Sequence, residues 1–127
     1  MKVARACFGA ILTTLSLSVT ALEINAYLMS RDARDKETMS LLGTYLKGVG
    51  EGLSWANIAL VMRGQPPLYC APSQLALNPE NYLRMLDDQI ARTSAQWSDS
   101  EKKARFAKFT IEQFLTDAVI RTFPCKR

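Results

Sequence analysis

Between Arg34 and Arg63 the apolar residues Met39, Leu42, Leu46, Val49, Leu53, Ala56 and Leu60 follow one another in steps of three and four. That spacing is one stripe of a long amphipathic helix, and a stripe of this length must be covered by other elements. No stretch of the chain alternates apolar and polar residues long enough to make a strand, so the covering layer is expected to be helical as well. The predicted fold class is all-α: a compact small helical bundle with one long helix.

The long helix has an unusual composition. Gly43, Gly48, Gly50 and Gly52 interrupt it, and each costs roughly 1 kcal/mol relative to alanine in a helix interior. Something should offset that cost. The expectation is close helix–helix approach, or a kink, around Gly48 and Gly52, with Tyr45 on the same packing segment. The competing reading is backbone lying against a ligand. Glu51 among them is either exposed or bridged to another helix.

Punctuation along the chain divides the rest. "NAYLMS" before the long helix reads as a short separate helical turn capped by Asn25, with Tyr27 and Leu28 inward. After it, Gly64 suits a helix C-terminus and Pro66-Pro67 cannot continue one. A loop, "QPPLYCAP", follows. Asn78 and Pro79 then have the residue types of an N-cap and first helical position, with Glu80 favourable to the helix dipole. Tyr82, Leu83, Leu86 and Ile90 make the inner stripe of that helix. Asp87 and Asp88 point about 100° apart and read as solvated. Ser98 and Glu101 are spaced as a capping box. They open what reads as one last helix, closed by Pro124. Its inner face carries Ala107, Ile111, Phe114, Leu115 and Ala118, widened by Phe106, Phe109, Val119, Ile120 and Phe123.

The first 21 residues have a different character. Lys2 and Arg5 precede "ACFGAILTTLSLSV", and Val19-Thr20-Ala21 places small residues at −3 and −1 of a cut after Ala21. This is the pattern of a secretory signal peptide, short for a membrane span of roughly 20 residues. Retention as an uncleaved anchor is the alternative. The domain division is therefore 1–21 as signal peptide and 22–127 as a single helical domain, placed in the periplasm. Without Lys2 and Arg5 the formal charge falls from +4 by two to +2. The densest basic cluster, "EKKARFAK", reads either as the wet face of a helix or as a surface for an anionic partner. No nucleic-acid motif is present.

Cys7 lies in the signal segment, which leaves Cys70 and Cys125. Two cysteines in an exported chain of this size are most simply a disulfide. The bond would close a loop of about 55 residues, rated at roughly 4 kcal/mol by the chain-entropy account. An intermolecular bridge or a free thiol is the alternative.

The chain has no histidine, which removes the commonest general base and metal ligand. It has no nucleophile elbow, P-loop or dinucleotide fingerprint. Its 12 acidic residues show no spacing that argues for carboxylate catalysis. The expectation is a binding protein, not an enzyme, with no cofactor.

The order of pieces is more specific: "GTYLKGVGEG" on the long helix, "YCAP" in the loop, "YLRML" on the next helix and "VIRTFPC" at the end. With the signal peptide, this order resembles the Tai-type, or resistance-associated, periplasmic immunity proteins that neutralise peptidoglycan amidase effectors of type VI secretion. The likeness runs from about Gly43 to Cys125. It implies a helical bundle, a structural disulfide between Cys70 and Cys125, no enzymatic activity, and a cognate amidase whose cleft is occluded. Dimers occur in the family, so a homodimer is also expected. Where such proteins carry a further cysteine before the tyrosine–glycine segment, this chain reads "SLLGTY", which leaves one bridge. Tyr69 and Trp97, in the loops 65–72 and 93–100, are the candidate partner-binding anchors; for both, core packing is the alternative. A periplasmic accessory or scaffold protein of a secretion or conjugation apparatus is the other function that the composition fits.

Overall fold

The computed structural model describes residues 21–126. Residues 1–20, on which the export-signal expectation falls, lie outside it. The described chain is all-α. Its helices are α1 (Ile24–Asp32), α2 (Lys36–Met62), α3 (Pro79–Ser94), α4 (Asp99–Phe106) and α5 (Ile111–Thr122). The only extended pairing among the described residues is an isolated antiparallel bridge between Glu23 and Thr110.

Local chemistry sets most helix ends. The Asp35 carboxylate accepts from the Glu37 amide at 3.1 Å and starts α2. Gly64, at φ 69°, follows its end, in the left-handed conformation glycine adopts without a Cβ penalty. Asn78 with Asn81, and Ser98 with Glu101, form reciprocal capping boxes at α3 and α4. At α1 the expectation fails. The N-cap is Glu23, whose side chain makes no capping bond. Asn25 is the second residue of the helix, where its Nδ2 donates to the Lys103 carbonyl at 3.0 Å.

The predicted single C-terminal helix is two helices. Thr110 adopts an extended conformation at φ −106°, ψ 158°, and forms a third capping box with Gln113. The break is held from outside: the Ile24 amide donates to the Phe109 carbonyl at 3.2 Å, and the Ile111 amide to the Leu22 carbonyl at 2.9 Å. The chain before α1 thus takes up backbone groups that the interruption would leave unpaired. Ala107, Phe109 and Ile120 are exposed as a result, while Phe106, Ile111, Phe114, Leu115, Ala118 and Val119 enter the core.

α3 packs against both α2 and α5, and α1 bridges α2 and α4. Tyr27, Leu46, Leu86, Phe106, Ile111 and Leu115 are fully buried where these helices meet. Each such side chain contributes on the order of 1.5–3 kcal/mol by leaving water. Asp87 is not solvated as its sequence context suggests. The Tyr27 hydroxyl donates to its Oδ1 at 2.7 Å and the Arg31 guanidinium donates to both oxygens, tying α1 to α3. Burial, then the bond to Asp87, raises the Tyr27 pKa far above its ordinary value.

α2 outlasts its neighbours. Its 27 residues span about 40 Å and the 16 of α3 about 24 Å. Gly43, Leu46 and Gly50 are buried, and no residue of α2 beyond Gly50 is. The far end of the helix overhangs the bundle.

Candidate functional site

The overhang is braced by the loop after it. The chain turns at Gly64 and runs back along α2, where the Asn57 carboxamide holds it at both ends of the group. Asn57 Nδ2 donates to the Tyr69 carbonyl at 2.9 Å, and the Leu68 amide donates to Asn57 Oδ1 at 2.6 Å. The Cys70 amide then donates to the Phe123 carbonyl at 2.8 Å. Cys70 and Cys125 are joined, with Cα atoms 4.8 Å apart and 55 positions between them in sequence. The bond lies at the rim of the molecule and not across its core, since Cys70 is exposed and Cys125 half-buried.

Tyr69 does not reach outward. It is 8% exposed and packs with its ring centroid 6.5 Å from that of Phe123. The proline turn points it under the loop, so it anchors the staple from inside. Trp97 is half-buried, with its ring 5.5 Å from Phe106 and the Arg105 guanidinium 4.7 Å above its face. Both loop aromatics hold the bundle together; the structure does not bring them to one surface.

The glycine expectation also needs correction. A Cβ on Gly48 or on Gly52 would meet nothing within 4 Å. Close approach occurs at Gly50, where a Cβ would lie 2.2 Å from the Tyr82 ring, and at Gly43, where it would lie 3.1 Å from Pro79. The reason is angular. Gly43, Leu46 and Gly50 follow the inward stripe, while Gly48 and Gly52 stand two positions, or about 200°, from Gly50. Tyr45 is likewise on the outer side, and its hydroxyl donates to Glu112 of α5.

That outer side has its own pattern. Leu41, Tyr45, Gly48, Gly52, Trp55, Ala59 and Met62 follow in steps of four and three, and all of them are exposed. Trp55 is 71% exposed and Met62 83%. Ile58, Val61 and Leu68 are exposed beside them on the overhang and its loop. The steps were readable in the sequence as a second apolar stripe on α2. Two stripes give the helix two apolar faces, and the bundle covers one. An exposed row of apolar residues with Trp55 and Met62 at its end is a candidate interaction surface.

Charges around the stripe are few. Lys47 and Glu51 pair within α2 at 3.3 Å, so Glu51 reaches no other helix. At Glu112, burial acts to raise the pKa, but the bond from Tyr45 and other hydrogen bonds outweigh it and hold the carboxyl below its usual range. The same bond, then burial, pushes the Tyr45 hydroxyl up to about 12. A raised tyrosine pKa contributes stability that is present below the unfolded value near 10 and is lost as pH rises to about 12. Tyr45→Phe is therefore expected to flatten the fall of stability across that interval. Urea midpoints of both proteins measured from pH 9 to 12 check this; parallel curves would refute it.

Among the described residues, no group of three Cys, Asp or Glu side chains stands close enough to hold a metal ion. No protein-family model, curated protein or solved structure matches the chain.

Proposed function

We propose that this is an exported, non-enzymatic binding protein that inserts the overhanging end of α2 into an apolar cleft of a protein partner. The exposed outer stripe of α2 carries this reading. Trp55 and Met62 stand at its free end, large side chains of the kind that dominate interface energies. The central Gly48 and Gly52 leave the helix backbone open to close approach. The Asn57 bonds and the disulfide hold the overhang rigid before any partner arrives, so little conformational entropy remains to be lost on binding. The resemblance to immunity proteins, together with the signal-like first 21 residues, makes a peptidoglycan amidase effector of type VI secretion the proposed partner, met in the periplasm. An immunity protein needs to fill and block a cleft, and a braced helix end suits that task without catalysis.

The test is inhibition of a purified peptidoglycan amidase effector of type VI secretion in a peptidoglycan hydrolysis assay. The intact protein is expected to abolish hydrolysis. Trp55→Ala is expected to weaken inhibition by about 30-fold, the size of a central anchor's contribution, with an unchanged melting temperature. Trp97→Ala is expected to lower the melting temperature and leave inhibition intact once folded. Undiminished inhibition by a Trp55→Ala, Met62→Ala double variant would move the interface elsewhere, and an unaffected amidase would remove the immunity reading. Sedimentation of the protein alone separates a hetero-partner from a second copy: a dimer abolished by Trp55→Ala would assign the stripe to self-association.

A further inference from the structure

A second surface, which shares no residue with the outer stripe of α2, carries its own chemistry. Between α3, α4 and α5 lies a cleft of about 570 Å³, within the range of small-molecule sites. Its walls are aromatic. Trp97 closes one side, and Phe114 lies 5.6 Å, centroid to centroid, from Phe109. Phe109 is 39% exposed, a large apolar side chain held at the mouth by the break before α5.

The charged groups are two cations and one anion. Arg105 and Lys108 stand on the cleft, from the "EKKARFAK" cluster. Arg105 is shared with Glu101 at 3.5 Å, across an exposed pair; Lys108 has no ion-pair partner among the described residues. Gln89 lines the cleft from α3 while only 5% exposed. Its Nε2 reaches Thr93 Oγ1 at only 3.5 Å, the limit of a hydrogen bond. One anion, Asp117, stands on the same cleft from α5.

We infer that this cleft binds a small amphipathic carboxylate: an apolar chain or ring lies along Phe109, Phe114 and Trp97, and its carboxylate meets Lys108 and Arg105, with the Gln89 amide as a further donor. Two cations against one carboxylate on the lining select an anionic head. The aromatic walls require an apolar body, since an inorganic anion would leave them wet. This site is independent of the α2 stripe, and its test needs no protein partner.

Decanoate and decylammonium share a tail and differ in charge, so they are the probes, each titrated into the ¹⁵N-labelled protein below its micellar concentration. Decanoate is expected to bind at one saturable site, shifting the amides of residues 89–97 and 105–117. Decylammonium is expected to bind at least tenfold more weakly. Lys108→Gln is expected to weaken decanoate about fivefold, as for a partly exposed charge contact, and Asp117→Asn to strengthen it; neither side chain is in the core, so both variants keep the fold. Equal affinity for the two probes, an unchanged affinity in Lys108→Gln, a weakened one in Asp117→Asn, or shifts centred on Trp55 and Met62 would each overturn the assignment. Anionic phospholipid vesicles give the remaining arm: binding to vesicles without binding of free decanoate would assign the cations to a membrane surface and refute the cleft.

Discussion

Cys125→Ser is expected to cost about 4 kcal/mol of folding stability, because it frees a 55-residue loop in the unfolded chain. For a domain of this size that is a fall in melting temperature of about 15–30 °C. The native contacts around the bond should largely persist, since the Cys70 amide still meets the Phe123 carbonyl and Tyr69 still packs on Phe123. Thermal melts with and without reductant provide the check. The native protein under reductant should fall to the variant's melting temperature, and the variant should not respond. Because Cys70 is exposed, reduction should not require prior unfolding. A change below about 3 °C would mean that the unfolded chain gains little freedom when the bond is absent. On the proposed function, the staple also braces the overhang, so the reduced protein should inhibit the amidase less well even at temperatures where it remains folded.

The glycines of α2 give the second large effect, and its sign changes within a few residues. Gly50→Ala would place a methyl group 2.2 Å from the Tyr82 ring. Tyr82 is buried, so the ring can move only by separating α2 from α3. Overpacking of this kind costs about 1–3 kcal/mol, partly offset by the roughly 1 kcal/mol gain in helix propensity, for a net destabilisation of up to about 2 kcal/mol. Gly48→Ala and Gly52→Ala meet nothing, and each is expected to stabilise the fold by about 0.5–1 kcal/mol. Denaturant midpoints of the three variants decide the matter. Equal effects at all three positions would mean that α2 is not packed on α3 through Gly50. On the proposed function, the two stabilising changes carry a penalty elsewhere: methyl groups on the outer stripe would hold a partner off the helix, so inhibition should weaken as stability rises.

Much of the bundle was legible because helix periodicity and capping are local. The steps from Met39 to Leu60 announced α2 to within two residues of its start, and Asn78-Pro79 and Ser98-x-x-Glu101 marked the starts of α3 and α4. The split between α4 and α5 was written in Thr110-x-x-Gln113, the same kind of capping pattern. It was masked by continuous apolar spacing on both sides, and the backbone partners that make the break affordable come from residues 22–24, far away in sequence. For the candidate site less was readable. Aromatic residues in loops suggested anchors, yet Tyr69 turned inward because the loop doubles back onto Asn57. Trp55 lay inside a helix that seemed already accounted for.

The sequence by itself determined the helical class, the span of the long helix, and the turns at Gly64 and Pro66-Pro67. These follow from dihedral preferences, side-chain periodicity and composition, each a property of a few neighbouring residues. The tertiary structure decided which of two equally regular stripes on α2 is covered, and therefore which glycines are packed and which are open. It also decided that the basic cluster of α4 would share a cleft with a buried carboxamide of α3. Both outcomes depend on the length and docking angle of helices distant in sequence: α3 and α5 are too short to cover all of α2, and the uncovered remainder is the surface on which the proposed function rests.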